Sequence, residues 1–464
     1  MVKYTLFAAS LMAGLISSVS AALTPIEVKG NAFYAGDERF FIRGVDYLPG
    51  GSSNFKDPLI DADECKRDIE YFKDLGLNTI RVYSVDNSAD HDDCMKQLDD
   101  AGIYLILDVN TPNNSINRAN PGNSYNTAYL QHVFATIDSF KGYDNLLGFF
   151  AANEVINDEN TTSSAPYVKA VIRDMKQYIK AQAKRAIPVG YSAADISINR
   201  EQQAKYFNCG EDEERLDMFG MNDYSWCGKS SFTVSGYDQK VKDYSGYSRP
   251  MFLSEFGCIE VTPRPFTEIG SLYSTDMSSV FSGGLVYEYS EEENKYGLVS
   301  IKSDGSITTK TDYNNLKSQL SSATNPTGDA GASPTADAAS ECPTYEAGVW
   351  EVEGSDLPSM PKRASSFISD GAGKPLGTTG PNTSYGDEGD VADNEAMAAQ
   401  GSTTAASSGS AKTSSASGSA SAAASSSGAA TGVHASMPNL LSPVVALPFA
   451  IVILSMMLGT VMVV

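Results

Sequence analysis

Between residues 39 and 290, short unbroken apolar runs alternate with longer stretches whose apolar positions recur every three or four residues. The runs fall at residues 40–46, 78–83, 103–109, 146–152, 187–192, 218–223, 251–254 and 285–289. Continuous hydrophobicity over so few residues is the pattern of strands buried on both faces, as in a parallel sheet. The stretches between them predict amphipathic helices. In the first, Asp61 stands at the N-cap with Glu64 at capping-box spacing, Cys65, Ile69, Phe72 and Leu75 line one face, and Gly76 closes the helix. Eight such βα pairs predict an α/β chain folded as a (β/α)8 TIM barrel. A doubly wound sheet is the alternative. It would carry a glycine-rich phosphate loop after the first strand, and Gly50-Gly51 lacks that spacing.

The pattern changes at both ends. Lys3 precedes an apolar run over residues 5–16 and small residues at 17–22, which predicts a signal peptide over residues 1–21. That run is short of the ~20 residues a membrane span needs. The barrel is expected over 22–320. Residues 321–369 read as a linker and a small extension containing Trp350, which Cys342, lacking a local cysteine partner, ties back to the barrel. Residues 370–431 are a Ser/Ala/Gly-rich stalk whose composition cannot bury a core. The apolar end of the chain follows small residues around Gly428, so residues 432–464 read as a GPI-attachment signal that is removed, leaving a membrane-held, extracellular protein. A tail-anchored helix is the alternative, and a signal peptide at the other end argues against it.

Charge and cysteines narrow the chemistry. A formal net charge of −23 excludes the basic surface that nucleic acid requires. Six cysteines suit three disulfides, with fifteen possible pairings. No CxxC pair occurs and the chain holds three histidines, so neither a metal nor another cofactor is expected. Sequons stand at Asn113, Asn160 and Asn382.

In a TIM barrel the chemistry lies at the C-terminal ends of the strands. Here those ends carry carboxylates, amides and tyrosines: Asp46, Tyr83, Asp108, Asn153-Glu154, Asp195, Asn222-Asp223-Tyr224, Glu255 and Tyr287-Glu288-Tyr289. Glycoside chemistry needs two carboxyl groups flanking the scissile bond, one protonated and one able to attack carbon. Glu154 and Glu255, on the fourth and seventh strands, are the candidate pair. Tyr83, Tyr224 and Tyr287 either pack the rim or stack on sugar rings, and Asp108 either contacts substrate or bonds within the rim. The amide-rich stretch from Asn110 through Asn113, Asn114, Ser115 and Asn117 to Arg118 follows the third strand, and its Ser-Ile-Asn-Arg string recurs at residues 197–200.

The segments Tyr47-Leu48-Pro49-Gly50-Gly51, Asn78-Thr79-Ile80-Arg81-Val82-Tyr83, Ser115-Ile116-Asn117-Arg118, Phe150-Ala151-Ala152-Asn153-Glu154-Val155, Asn222-Asp223-Tyr224-Ser225-Trp226-Cys227 and Ser254-Glu255-Phe256-Gly257-Cys258 resemble the fungal GPI-anchored β-1,3-glucanosyltransferases, glycoside hydrolase family 72. The resemblance implies a retaining transglycosylase with Glu154 as acid/base and Glu255 as nucleophile. It implies that Tyr83, Asp108, Asn153, Tyr224 and Tyr287 shape the donor subsites. Residues 110–118, Asp195 and Arg200 would line the wider cleft for donor and acceptor β-1,3-glucan chains. It also implies the pairs Cys65–Cys94, Cys209–Cys342 and Cys227–Cys258. One cysteine follows Cys258, so the chain is similar to the branch without a cysteine-rich glucan-binding module. A hydrolase on the same barrel and a non-catalytic wall-binding protein are the competing readings.

Overall fold

The computed structural model describes residues 22–51, 55–354 and 357–384. The expected signal peptide, the attachment point near Gly428, residues 432–464 and most of the stalk lie outside these residues.

Eight parallel strands close a barrel: β1 (Ile42–Asp46), β2 (Thr79–Val82), β3 (Tyr104–Asp108), β4 (Leu146–Asn153), β5 (Val189–Ala194), β6 (Met218–Asp223), β7 (Met251–Phe256) and β8 (Phe281–Val286). Each neighbours the next, and β8 closes on β1 through Gly283 opposite Ile42 and Val286 opposite Val45. Besides a single turn at Pro121–Ser124, the α-helices among the described residues are α1 (Ala62–Leu75), α2 (Asp92–Asp100), α3 (Thr127–Phe140), α4 (Ala165–Gln182), α5 (Arg200–Phe207), α6 (Tyr237–Asp243), α7 (Glu268–Leu272), α8 (Thr311–Ser322) and α9 (Ala364–Asp370). In α1 the Asp61 carboxylate accepts from the Asp63 and Glu64 amides, Cys65, Ile69, Phe72 and Leu75 are buried, and Gly76 takes the left-handed conformation at φ 73°. Glu64 does not complete a capping box; its carboxylate pairs with Lys56 at 2.5 Å.

The eighth strand begins four residues earlier than the apolar run suggests, and Tyr287-Glu288-Tyr289 lies beyond its end. Gly283-Gly284 reads as a break in sequence but sits inside the strand. A Cβ on Gly283 would lie 2.1 Å from the Ile42 carbonyl oxygen, and φ there is +87°. Close approach of β8 to β1 demands the glycine. At the first strand, Phe40, where the apolar run begins, belongs instead to a small antiparallel sheet (Ile26–Lys29, Ala32–Ala35, Glu38–Phe40). Ile26 and Phe33 of this sheet join Ile42, Ile106, Phe150, Met218, Phe252 and Leu285 in one buried cluster that fills the N-terminal end of the barrel.

The segment after α8 is not a free linker. Asp329 accepts from the Tyr34 hydroxyl at 2.8 Å, and the Ser333 amide bonds Asn31 at 2.8 Å. The disulfides are Cys65–Cys94, Cys209–Cys342 and Cys227–Cys258. Beyond Cys342, Trp350 is fully buried with its ring 5.2 Å from Tyr206, and Phe367 of α9 meets Phe134 of α3 edge-on. Residues 371–384, assigned by composition to the stalk, lie along the barrel as a strap, bonded at Ala372 to the Tyr178 hydroxyl and at Gly377 to Asn87.

Candidate active site

The polar site is built on an aromatic floor. Phe33 meets Phe252 edge-on, and Phe252 stacks on Phe150 inside the barrel. The Arg81 guanidinium lies 4.7 Å from the Phe150 ring and 4.1 Å from Tyr83, so a fully buried cation separates apolar interior from polar mouth. Its charge is answered by Asp108 in a two-pronged pair, Nε to Oδ1 at 2.9 Å and Nη2 to Oδ2 at 2.8 Å. Asp108 is thus bound within the rim. The remaining guanidinium contacts reach the Ser254 carbonyl at 3.3 Å, the Tyr83 hydroxyl at 3.2 Å, Asn153 at 3.0 Å and Glu255 at 3.4 Å.

Glu255, on β7, is 7% exposed. Each of its oxygens has its own tyrosine: Tyr83 donates to Oε1 at 2.7 Å and Tyr224 to Oε2 at 2.6 Å. Burial pushes this carboxyl up to about 7 and the Glu154 carboxylate adds to the rise, while Arg81 and the two hydroxyls oppose it. Asp46, at the end of β1, is raised well above the ordinary carboxylate range by burial, against the pull of Arg81.

Glu154 follows β4 with its side chain half-buried. Its backbone is left-handed at φ 49°, held by a 2.8 Å bond from its amide to the Ser192 carbonyl. A non-glycine residue in that region is strained, and such strain gathers at working sites. Asn222 supplies its partner. The Ser192 and Ser254 hydroxyls donate to Asn222 Oδ1 at 3.0 and 2.8 Å, which turns Nδ2 toward Glu154 Oε1 at 2.9 Å and Asn153 Oδ1 at 3.1 Å.

Tyr83, Tyr224, Tyr287 and Tyr296 form a continuous edge-to-face wall at the mouth. Beside it opens a cleft of about 250 Å³ between Leu48, Pro49 and Phe55 after β1 and Asn110, Ser115 and Arg118 after β3. Arg118 donates to the Glu154 carbonyl at 2.8 Å. Asn110 is spent on the frame, accepting from Tyr129 and donating to the Ala151 carbonyl, both at 2.8 Å. Asn113 and Asn114 turn outward to the strap, and Asn117 accepts from the Ala119 amide in a local turn. Asp195 and Arg200 pair with each other at 2.8 Å, and Asp195 shares Lys240 with Asp223. The structure therefore brings Tyr83, Asn153, Glu154, Tyr224, Glu255 and Tyr287 together and commits Asp108, Asn113, Asn114, Asn117, Asp195 and Arg200 to internal partners. Arg81 and Tyr296 are not among the residues the sequence singles out, and Asn222 stands there as a strand-end amide with no assigned role. Arg81 and Asn222 stood in segments already singled out, and a polar residue inside or ending a buried strand was the available sign.

Residues 15–324 match the sequence profile of the glucanosyltransferases. The chain belongs to glycoside hydrolase family 72. Within the family it is similar to the 1,3-beta-glucanosyltransferase GAS5 of Saccharomyces cerevisiae, 61% identical over 79% of this chain and 77% of the relative. It is 59% identical to 1,3-beta-glucanosyltransferase gel1 of Aspergillus fumigatus over 77% of this chain and 78% of the relative. Among solved structures, it is similar to Gas2p of Saccharomyces cerevisiae in complex with laminaritetraose and laminaripentaose, at TM-score 0.68 and 43% identity, covering 74% of this chain and 76% of that one. Among the described residues no helix is long and apolar enough to cross a membrane.

Proposed function

We propose that the protein is a retaining 1,3-beta-glucanosyltransferase that cleaves β-1,3-glucan internally and passes the new end to a second glucan chain. The observation that carries this reading is the asymmetry between the two glutamates. Glu255 accepts a hydroxyl on each oxygen beside a buried guanidinium, contacts that favour the carboxylate against the rise that burial imposes. Glu154 has one side-chain amide donor and a half-buried side chain, a more open setting that suits the acid/base role.

In the first step a Glu255 oxygen attacks the anomeric carbon as the glycosidic C–O bond breaks, and the Glu154 proton passes to the departing oxygen. A glycosyl ester on Glu255 results. In the second step Glu154, now a carboxylate, takes the proton from an acceptor hydroxyl whose oxygen displaces Glu255. Two inversions at one carbon give retention. Burial, with the Glu154 carboxylate beside it, raises the Glu255 carboxyl to about 7, so attack by its carboxylate is expected to strengthen as pH rises toward that value. The tyrosine wall offers ring faces to sugar and hydroxyls to the nucleophile. The names of the relatives and the laminari-oligosaccharides in Gas2p support the substrate class.

The end patterns of the chain support a secreted protein carrying a lipid near Gly428, with the barrel over 22–320 as its catalytic part and glucan as its partner outside the cell. Sizing the products from a defined β-1,3-glucan oligomer tests the activity. Products longer than the substrate are expected. Shorter products alone make the protein a hydrolase, and a Glu154→Gln variant with parental turnover removes Glu154 from the chemistry.

A further inference from the structure

The family profile stops at residue 324, yet the chain stays on the barrel to Ser384. The last residues of the strap meet the loop after β3 at its outer edge. The Thr383 amide donates to the Asn113 carbonyl at 2.8 Å, and the Thr383 hydroxyl donates to Asn114 Oδ1 at 3.1 Å. The Ser115 amide donates to the Ser384 hydroxyl at 3.1 Å, and Asn382 reaches Asn113 at 3.3 Å. Thr383 and Ser384 are 3% and 5% exposed, so their contacts are sheltered from water, while the Asn382 contact is exposed. On its inner edge the same loop lines the cleft at Ser115, Ile116 and Arg118, and Arg118 holds the Glu154 carbonyl.

Within the outer half of this loop Thr111 and Asn114 exchange backbone bonds at 3.1 Å, which close the turn on itself, while the strap ties it to the rest of the chain. Asn114 is 5% exposed, and its Oδ1 accepts from Thr383. Without the strap that oxygen and the Ser115 amide would be left without these partners in a sheltered place, a penalty the loop would relieve by moving. The strap in turn is pinned at a distance. Gly377 donates to Asn87 at 3.0 Å with φ +56°, and a Cβ there would stand 2.2 Å from Asp86 Oδ1. Asn126 donates to the Thr383 carbonyl at 3.3 Å, and Gln131 to the Ala372 carbonyl at 3.1 Å.

We propose that residues 371–384 belong to the substrate-binding apparatus, with Thr383 and Ser384 as positioning residues that set the loop after β3 and so the grip of the cleft on a long glucan. The substrate in this statement rests on the proposed function; the contact between strap and loop does not.

Two single changes in the full-length chain test it. Thr383→Ala removes one hydroxyl, and Gly377→Ala lifts the strap far from the cleft; both preserve the sequon at Asn382. With β-1,3-glucan oligomers of increasing length, each variant is expected to raise KM for the long oligomers about 3- to 10-fold with kcat within about two-fold of the parent. Thr383→Ser should restore the parental KM. Hydrogen exchange at the Ser115 amide, measured without substrate, is expected to quicken in Gly377→Ala. Parental KM at every length, or a fall in kcat and melting temperature with KM unmoved, overturns the proposal, as does unchanged exchange at Ser115. A parent inactive on β-1,3-glucan would overturn the proposed function instead and leave the exchange result to decide the strap.

Discussion

Remove the Tyr224 hydroxyl, as in Tyr224→Phe, and Glu255 Oε2 loses a 2.6 Å donor while the ring stays in the wall. A hydrogen bond to a carboxylate is worth roughly 1.5–3 kcal/mol, so kcat should fall about 10- to 100-fold. The pH profile carries the sharper test. That hydroxyl holds the Glu255 pKa down, so its loss raises the pKa, and the acid side of the rate profile must move to higher pH. A uniform loss at every pH would mean that Tyr224 positions sugar and not Glu255. Arg81 shows why part of this site was hidden from a residue-by-residue reading. It sits amid a buried strand, and its meaning comes from Asp108, Glu255 and Asn153, which three other strands deliver. Glu154 and Glu255 were legible because each is flanked by residues of a recognisable local motif.

At the scale of elements, strand positions were readable wherever hydrophobicity ran unbroken, as in β2, β3, β4 and β6. They were displaced where close packing between neighbours selected glycine, as at Gly283-Gly284 in β8. The contact that selects it is with Ile42, over two hundred residues earlier, which no local window contains. Gly283→Ala should therefore cost more than the loss of a solvent-facing glycine. It adds a clash with a backbone oxygen to a φ that favours glycine, and a loss on the order of 2–4 kcal/mol is expected in chemical unfolding. Gly76→Ala, left-handed but with nothing within 4 Å of its would-be Cβ, is the control and should cost about 1 kcal/mol. The loop after β3 gives the same lesson for the site. Asn113 and Asn114 look like sugar-binding amides in sequence, but residues about 270 positions away claim them.

Across the whole molecule, several acids are buried with raised pKa values. Burial lifts Glu255 and Glu268 to about 7, Glu288 to about 8 and Asp174 to about 6. In the unfolded chain such groups titrate near ~4. Between those limits the native state binds more protons than the unfolded one, so stability falls as pH rises from about 4 to about 8. Melting temperature should be higher at about pH 5 than at about pH 8, and Glu288→Gln should narrow the difference by removing one ionisation. A melting temperature that rises over the same interval would contradict this account.

The chain after α8 would also decide how the protein bears a load applied at residue 384. A pull on residue 384 acts first on the Thr383 and Ser384 contacts, then on Gly377, Ala372, α9 and Trp350, one after another. Each fastening is small and opens before the next is stressed, so the strap peels at low force like tape instead of shearing at once. Peeling ends at Cys342, where the disulfide to Cys209 passes the tension to the barrel wall behind α5. The 42 residues from 343 to 384 then extend to about 140 Å, a tether that lengthens under strain while the eight strands and their two glutamates stay folded.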